Sequence, residues 1–372
     1  MPITDLRLHR VRVPLHTPFV TAVRRLSTVE ATLVELRDED GRSGWGEATE
    51  NWKVTGAGLA GAEGALSGPL REVVLGRDPD DLVPLARDIA SVVVGNEAAK
   101  SALDCALHDL AAGRLGVPLS RLLGTTATQV PTDVTLAAGT PDEMRIAAKQ
   151  RHAEGFRILK VKLGDGGDDL RRLTEIGLAI GPDMRLRVDA NQGWSVKQAI
   201  RLIRAFEDTG LDIEFVEQPV PAGDLDGLAE VTRSVGIPVM ADESVWSPAD
   251  ALRVVRARAA DLINVKLAKC GGLWPARRLT EVAEAAGVGV MFGSMLETHV
   301  GVAATAALAA TARPAQIVPD LDAAWWLATA PVRGGIGYDG PRLDLSPLPG
   351  LGIVGLADGA EDHPVHAEKG TR

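Results

Sequence analysis

Cysteine is nearly absent. Cys105 and Cys270 are the only two in 372 residues, and each lies within an apolar stretch. A disulfide framework is therefore excluded; the two read as reduced core residues, which fits a cytoplasmic setting. A surplus of positive charge is also missing. Forty Lys and Arg face fifty Asp and Glu, giving a formal net charge of −10 and a pI near 5.3. Non-specific nucleic-acid binding needs a basic face, so no nucleic-acid partner is expected. No uninterrupted apolar window of about 18 residues occurs, so no transmembrane helix and no membrane partner are expected. The opening MPITDLRLHR is charged and has no apolar run, so no secretory signal is expected.

What is present suits a large soluble chain. Hydrophobic residues make up 45% and charged residues 24%, enough for a sizeable core, and the length suits two domains, one of which could be a barrel. Residues 1–125 read as an α+β unit. ITDLRLHRVRVPL and VEATLVELRD alternate in polarity as half-buried strands do, and Glu39-Asp40-Gly41 reads as a hairpin turn. Helical spacing follows, through NEAAKSALDCALHDLAAGRLG. From 126 to 330 the pattern changes. TDVTLAAG, RILKVKLG, RLRVDAN, IEFVEQP, VMADES, LINVKLAKC, VGVMFGS and QIVPDLD are strand candidates, each but the last followed by a helix-like segment. That alternation predicts an α/β fold with a parallel sheet, a modified TIM barrel of the (β/α)7β kind. One residue near the end of each strand (Lys162, Asp189, Glu217, Asp242, Lys266, Gly293, Asp320) recurs at steps of 27, 28, 25, 24, 27 and 27. A βα unit needs a long crossover, so these positions fall at one level, the end of the barrel where active sites sit. Residues 331–357 are Gly/Pro-punctuated and are expected to return to the N-terminal unit. Residues 358–372 are polar, lack periodicity and are expected to be disordered.

Asp189, Glu217 and Asp242 end three consecutive strands, in VDAN, VEQP and ADES. Three carboxylates converging on one point repel, and a divalent cation removes the conflict. An all-oxygen set without Cys or His favours Mg²⁺, with Mn²⁺ as the alternative, one ion per subunit. The competing account is that these acids merely cap the following helices. Asn191, Gln218 and Glu243 stand beside the three and are placed to orient them.

Lys160 and Lys162 share one face of their strand, with Val161 on the other, and lysine is rarely buried without a task. Lys266 ends the sixth strand, four of eight away and so diametrically opposite. A substrate carboxylate on the metal would lie across the mouth with its α-carbon near the axis and one lysine on each side. Lys160 and the metal are expected to lower the pKa of the working base. A phosphate site at Lys160 and Lys162 is the alternative. A barrel that binds ligand without catalysis would lack a base or a metal ligand, and none of the six residues is missing.

KVK, VDAN, VEQP, ADES, NVKLAKCGG and GSMLET, in this order and spacing, resemble the muconate lactonizing enzyme subgroup of the enolase superfamily. TPF-TA-R near the start and PGLGI near the end extend the resemblance over nearly the whole chain. It implies an N-terminal α+β capping domain over a (β/α)7β barrel. It also implies Mg²⁺ on Asp189, Glu217 and Asp242, Lys162 and Lys266 as the acid/base pair, and Lys160 as an auxiliary lysine. A homo-oligomer is expected.

The subgroup includes cycloisomerases, o-succinylbenzoate synthases, N-acylamino acid racemases and dipeptide epimerases. Asp320-Leu321-Asp322 resembles the DxD with which dipeptide epimerases hold the free α-amino group of their substrate. The expected reaction is thus 1,1-proton transfer at the α-carbon of the C-terminal residue of a dipeptide, through an enolate. The alternatives are racemisation of an N-succinyl or other amino acid derivative, then a lyase or cycloisomerase reaction. Arg24, in a loop similar to that of L-Ala-D/L-Glu epimerases, is placed either to pair with a glutamate side chain or to lie in solvent. Trp52 and Val54 belong to a second candidate loop. Trp325 and Trp326 either narrow the pocket or pack under it. Thr135 and Glu297 are further candidate substrate contacts.

Overall fold

Alternation in the first fifty residues becomes a long antiparallel sheet. In a computed structural model, which describes residues 1–20, 25–164, 167–181, 183–312, 317–358 and, for backbone only, 362–364, β1 (Ile3–Val20) pairs with β2 (Arg25–Asp38). β2 turns through Glu39–Gly41 into β3 (Ser43–Thr49). The helices α1 (Leu59–Ser67), α2 (Pro69–Val74), α3 (Leu82–Ser91) and α4 (Glu97–Leu115) follow. They bury Leu66, Leu70, Leu103 and Leu107 against Leu6, Leu8, Val34 and Leu36 of the sheet.

Glycine lets α4 lie directly on β3. A Cβ on Gly46 would sit 1.9 Å from the Ala102 carbonyl oxygen, and one on Gly44 would sit 2.2 Å from that of Ala106. Both obstacles are helix backbone, which cannot rotate away. Gly46→Ala should therefore cost about 3 kcal/mol or more, the upper end of overpacking penalties. Thermal unfolding would read this as a clear fall in Tm; an unchanged Tm would mean the helix does not approach so closely.

After α5 (Leu119–Leu122) and β4 (Gln129–Pro131) come seven parallel strands in sequential order: β5 (Val134–Leu136), β6 (Ile158–Lys162), β7 (Arg185–Asp189), β8 (Ile213–Glu217), β9 (Val239–Ala241), β10 (Leu262–Val265) and β11 (Gly289–Phe292). The helices α6 (Pro141–Ala153), α7 (Asp169–Ile180), α8 (Val196–Glu207), α9 (Leu225–Ser234), α10 (Pro248–Ala257), the short α11 (Leu267–Cys270), α12 (Leu273–Ala285) and α13 (His299–Ala309) connect and follow them. Their caps are local. Thr140, Ser195, Asp224 and Ser247 accept the first-turn N–H groups of α6, α8, α9 and α10. Asp189, Glu217 and Asp242 therefore cap none of the helices that follow them.

The eighth strand candidate differs from expectation. Among its described residues, 317–322, only Asp320 forms a bridge, to Gly293, while the Asp133 N–H donates to Pro319 O at 3.3 Å. Segment 317–322 thus closes the ring between β11 and β5 without ladder pairing, and a 3-10 turn at Ala323–Trp326 stands where a helix would follow. Beyond it, β12 (Val332–Gly334) pairs with β15 (Ile353–Leu356), and β13 (Gly337–Asp339) and β14 (Arg342–Asp344) pair in a sheet with β4. Asp109 of α4 ties this region down, accepting from Leu351 N at 2.5 Å and Trp45 N at 2.7 Å.

Within the tail expected to be disordered, residues 362–364 pair with His9–Val11 as β16 (Asp362–Pro364). An open strand edge recruits backbone regardless of side-chain pattern, so polarity gave no sign of it. The remaining tail residues, 359–361 and 365–372, lie outside the described residues, as does Arg24. Both cysteines are buried and free. Among the described residues, no helix is long and apolar enough to cross a membrane.

Candidate active site

The strand ends bring the expected residues into one cavity. Thr135, Lys160, Lys162, Asn191, Asp242, Glu243, Lys266, Asp320 and Asp322 line it, together with Phe19, Asn51, Val54, Ser294, Met295, Leu296 and Ala323. β6 pairs with β7 so that Lys162 lies beside Asp189, and β7 with β8 so that Asp189 lies beside Glu217. All of these lysines and carboxylates are buried. A larger cavity of about 780 Å³ opens between α1, α4 and α12, near Trp52, Trp246 and Trp274. It contains none of the expected catalytic or metal-binding residues, so the chemistry belongs to the barrel mouth. Trp52 faces this outer cavity, while Val54 of the same loop reaches the inner one.

Lysines and carboxylates alternate along an arc. Lys162 Nζ donates to Asp189 Oδ2 at 2.5 Å. Lys160 Nζ lies 3.2 Å from Asp189, 2.7 Å from Glu217 and 2.6 Å from Asp320. Lys266 Nζ donates to Asp242 Oδ2 at 2.7 Å. The two expected bases therefore stand at opposite ends of the three-carboxylate row.

Electrostatics follow from burial and this pairing. Burial pushes the Asp189 carboxyl up, but Lys162 and Lys160 hold it below the ordinary carboxylate range. Asp242 is likewise held down, by Lys266 and Lys269 against burial. Glu217 is pushed up to about 7 by burial and by Asp189, and Glu243 up to about 7 by burial and by Asp242. At Lys266 the carboxylates oppose the lowering expected from Lys160 and a metal. Burial pushes it down and Asp242 raises it, and the net direction is up. Lys160 does act in the expected sense on Lys266, but the carboxylates outweigh it.

Among the described residues, no three Asp, Glu, His or Cys side chains form a ready cage for one ion. Lysine ammoniums stand on the carboxylate oxygens. The donor chemistry nevertheless fits a hard cation. Six acids at the mouth (Asp189, Glu217, Asp242, Glu243, Asp320, Asp322) face four lysines (Lys160, Lys162, Lys266, Lys269), an excess of two negative charges. Glu243 Oε2 and Asn191 Oδ1 are buried without a hydrogen-bond partner among the described residues. Oxygens of this kind are what Mg²⁺ takes.

The backbone at the mouth is held in unusual geometry. Asn191, Gln192 and Gln218 have φ of 42°, 67° and 34°. Such conformations persist where surrounding bonds over-determine them. Gln218 accepts from Asp242 N at 2.9 Å and donates to Ser244 Oγ at 2.9 Å, tying VEQP to ADES. The Asn191 N–H donates to Asp189 Oδ1 at 2.9 Å.

Two positioning side chains were missed in the sequence. Asn264 Nδ2 donates to Glu217 Oε1 at 2.9 Å. Lys269 Nζ, fully buried, donates to the Asp242 carboxylate, to its carbonyl at 2.5 Å and to Asn264 O at 3.2 Å. Both had a signal. Asn264 shares the strand face of Lys266, and Lys269 is a second lysine in the apolar run LAKC.

Asp320 and Asp322 flank buried Leu321 and face the same cavity. Asp322 Oδ2 accepts from Thr135 N at 2.7 Å and Trp326 Nε1 at 3.0 Å. Asp320 is held down to about 2, Lys160 prevailing over burial. Burial and Asp320 push Asp322 up to about 6. The two tryptophans pack beneath. Trp326 stacks on His16 at 5.5 Å and meets Phe19 edge-on, and the Arg151 guanidinium lies 4.4 Å from the Trp325 ring centre. Glu297 does not reach the cavity. It folds back to accept from Met295 N at 2.9 Å, and burial and Glu47 push it up to about 8.

Comparison with known proteins agrees with this architecture. Residues 3–124 match the mandelate racemase/muconate lactonizing enzyme N-terminal domain, and residues 143–358 match the enolase C-terminal domain-like family. The chain is 41% identical to the L-Ala-D/L-Glu epimerase of Bacillus subtilis, over 96% of this chain and 98% of that one. A substrate-liganded structure of that epimerase superposes with a TM-score of 0.93, covering 96% of this chain and 100% of that one. The L-Ala-D/L-Glu epimerase of Clostridium acetobutylicum is 42% identical, over 96% and 99% of the two chains. The dipeptide epimerase of Enterococcus faecalis, solved with Mg and the dipeptide L-Leu-L-Tyr, is 37% identical, with a TM-score of 0.90 over 95% and 99% of the two chains. The chain belongs to the mandelate racemase/muconate lactonizing enzyme family of the enolase superfamily, and it is an isomerase.

Proposed function

We propose that this isomerase is a Mg²⁺-dependent dipeptide epimerase, inverting the α-carbon of the C-terminal residue. The observation that carries this is the buried Asp320/Asp322 pair, two carboxylates that line the same cavity as the lysines. An ammonium is the complement of such a pair, through charge-assisted hydrogen bonds. An N-acyl group brings no positive charge and would leave Asp322, which has no lysine on it, uncompensated beside Asp320. The Enterococcus faecalis relative, solved with a dipeptide, supports the same substrate class.

Asp320 and Asp322 hold the substrate's amino end. Lys162 takes the α-proton from one face while Lys266 delivers a proton to the other, and the roles exchange in the reverse direction. Lys160 spans Asp189, Glu217 and Asp320 and so ties the metal side of the site to the ammonium side. Asp189, Glu217 and Asp242 would hold one Mg²⁺ per chain. When bound, the cation supplies Lewis-acid stabilisation of the charge that gathers on the substrate carboxylate. Residues 1–125 with 331–357 form the capping unit and 126–330 the catalytic barrel in this scheme.

Incubation with excess chelator should abolish epimerisation, and added Mg²⁺ should restore it. Mg²⁺ should also raise Tm, because a ligand bound by the native state alone stabilises it, and Asp242→Asn should lose that rise. Full activity in excess chelator would remove the metal from the scheme. The reaction itself is tested by incubating dipeptides in D₂O and following α-deuterium incorporation by mass spectrometry. No incorporation into any free dipeptide would end this assignment.

A further inference from the structure

The segment after β11 forms one wall of the catalytic cavity, through Ser294, Met295 and Leu296. It is fastened from the antiparallel sheet. Glu47, Thr49 and Asn51 alternate along β3 and its extension, so they share one face, and all three are buried. The Glu47 carboxylate accepts from Thr298 N at 2.8 Å, Thr298 Oγ1 at 2.5 Å and Gly301 N at 2.9 Å. Thr49 Oγ1 donates to Leu296 O at 3.0 Å, and Asn51 Nδ2 reaches Met295 Sδ at 3.4 Å. Within the segment, Glu297 accepts from Met295 N.

A helix cap alone does not account for Glu47. α13 already has its own cap, Thr298, which accepts from Val300 N at 3.3 Å. A second acceptor on the same turn arrives from a different sheet, more than 250 residues away in the chain. Burying a carboxylate is costly unless its hydrogen bonds are made, and here burial does push Glu47 up. An apolar side chain there would leave the Thr298 and Gly301 donors unpaired, so the carboxylate and the turn it grips hold one another in place.

We infer that Glu47 is a positioning residue that fixes the Ser294–Leu296 wall against the lysines, and so sets how tightly the dipeptide is held. This rests on the epimerase assignment for its kinetic consequence. Glu47→Gln is isosteric but removes the charge and turns an NH₂ onto the Thr298 N–H that Oε1 now accepts. KM should rise about tenfold or more, the effect of losing one charge-assisted hydrogen bond, while kcat per folded molecule changes less than about threefold. Hydrogen exchange at the Met295, Thr298 and Gly301 amides should accelerate about tenfold in the same variant, with distant amides unchanged. A purely structural tie would lower Tm and leave KM alone, and that result overturns the inference. Unchanged exchange in the 294–301 segment overturns it as well. The exchange arm needs no substrate, so it judges the inference even if the wild type epimerises no dipeptide. Should Glu47→Gln not fold, Thr49→Val removes the bond to Leu296 and carries both measurements, with the same outcomes deciding.

Discussion

Lys162→Ala and Lys266→Ala should each lower dipeptide epimerisation by about 10⁴-fold, the upper range for loss of a general acid or base. Inversion needs a proton taken from one face and one returned to the other, so neither lysine can replace its opposite. The structure adds a reason to expect no rescue from neighbours. Lys160 is engaged by Asp189, Glu217 and Asp320, and Lys269 by Asp242 and Asn264. Each single variant should still exchange the α-proton of one epimer in D₂O, because one lysine can remove and return it on the same side. Exchange of both epimers in either variant would show that the two lysines do not act on opposite faces. Both substitutions also take one of two ammoniums from a buried carboxylate, leaving Lys160 on Asp189 in one case and Lys269 on Asp242 in the other. Lys→Met variants, and circular dichroism of all variants, separate loss of chemistry from loss of fold.

Asp322→Asn should reduce kcat/KM for dipeptides with a free amino terminus by roughly two to four decades. Breaking a buried charged pair costs about 3–5 kcal/mol, and each decade corresponds to about 1.4 kcal/mol. This position is the cleaner of the two. Asp320 also bonds Lys160, so Asp320→Asn disturbs the metal side as well. An asparagine at 322 can still accept from Thr135 N and Trp326 Nε1, which keeps the local fold. N-succinyl amino acids should not suffer from the substitution, and N-acetylated dipeptides should be poor substrates of the wild type. Equal rates on free and N-acetylated dipeptides would transfer the assignment to N-acylamino acid racemisation. A pH dependence accompanies this. The Asp322 carboxyl, pushed up to about 6 in the free protein, must be ionised to hold an ammonium. Wild-type kcat/KM on free dipeptides should therefore fall as pH drops through that value.

Much of this was legible in the sequence, because the signals involved are local and periodic. Two-residue alternation placed Lys160 and Lys162 on one strand face. A repeat of about 25 residues per βα unit, set by the crossover length, aligned Lys162, Asp189, Glu217, Asp242 and Lys266 at one level. Only the tertiary structure decided the rest. It determined which carboxylate oxygen each lysine takes, since several ammoniums and carboxylates share one buried space and no pair is fixed by spacing. It turned Glu297 away from the substrate cavity, because the backbone beyond a strand end follows its loop rather than the strand's alternation. It assigned Trp325 and Trp326 to the packing under Asp322, and Asn264 and Lys269 to holding Glu217 and Asp242. It reduced the eighth strand to one bridge and laid residues 362–364 on an open sheet edge through backbone hydrogen bonds alone. Above all, it set Glu47 on the first turn of a helix more than 250 residues away. A contact of that range is made only when two separately folded layers meet, and neither segment's own pattern encodes it.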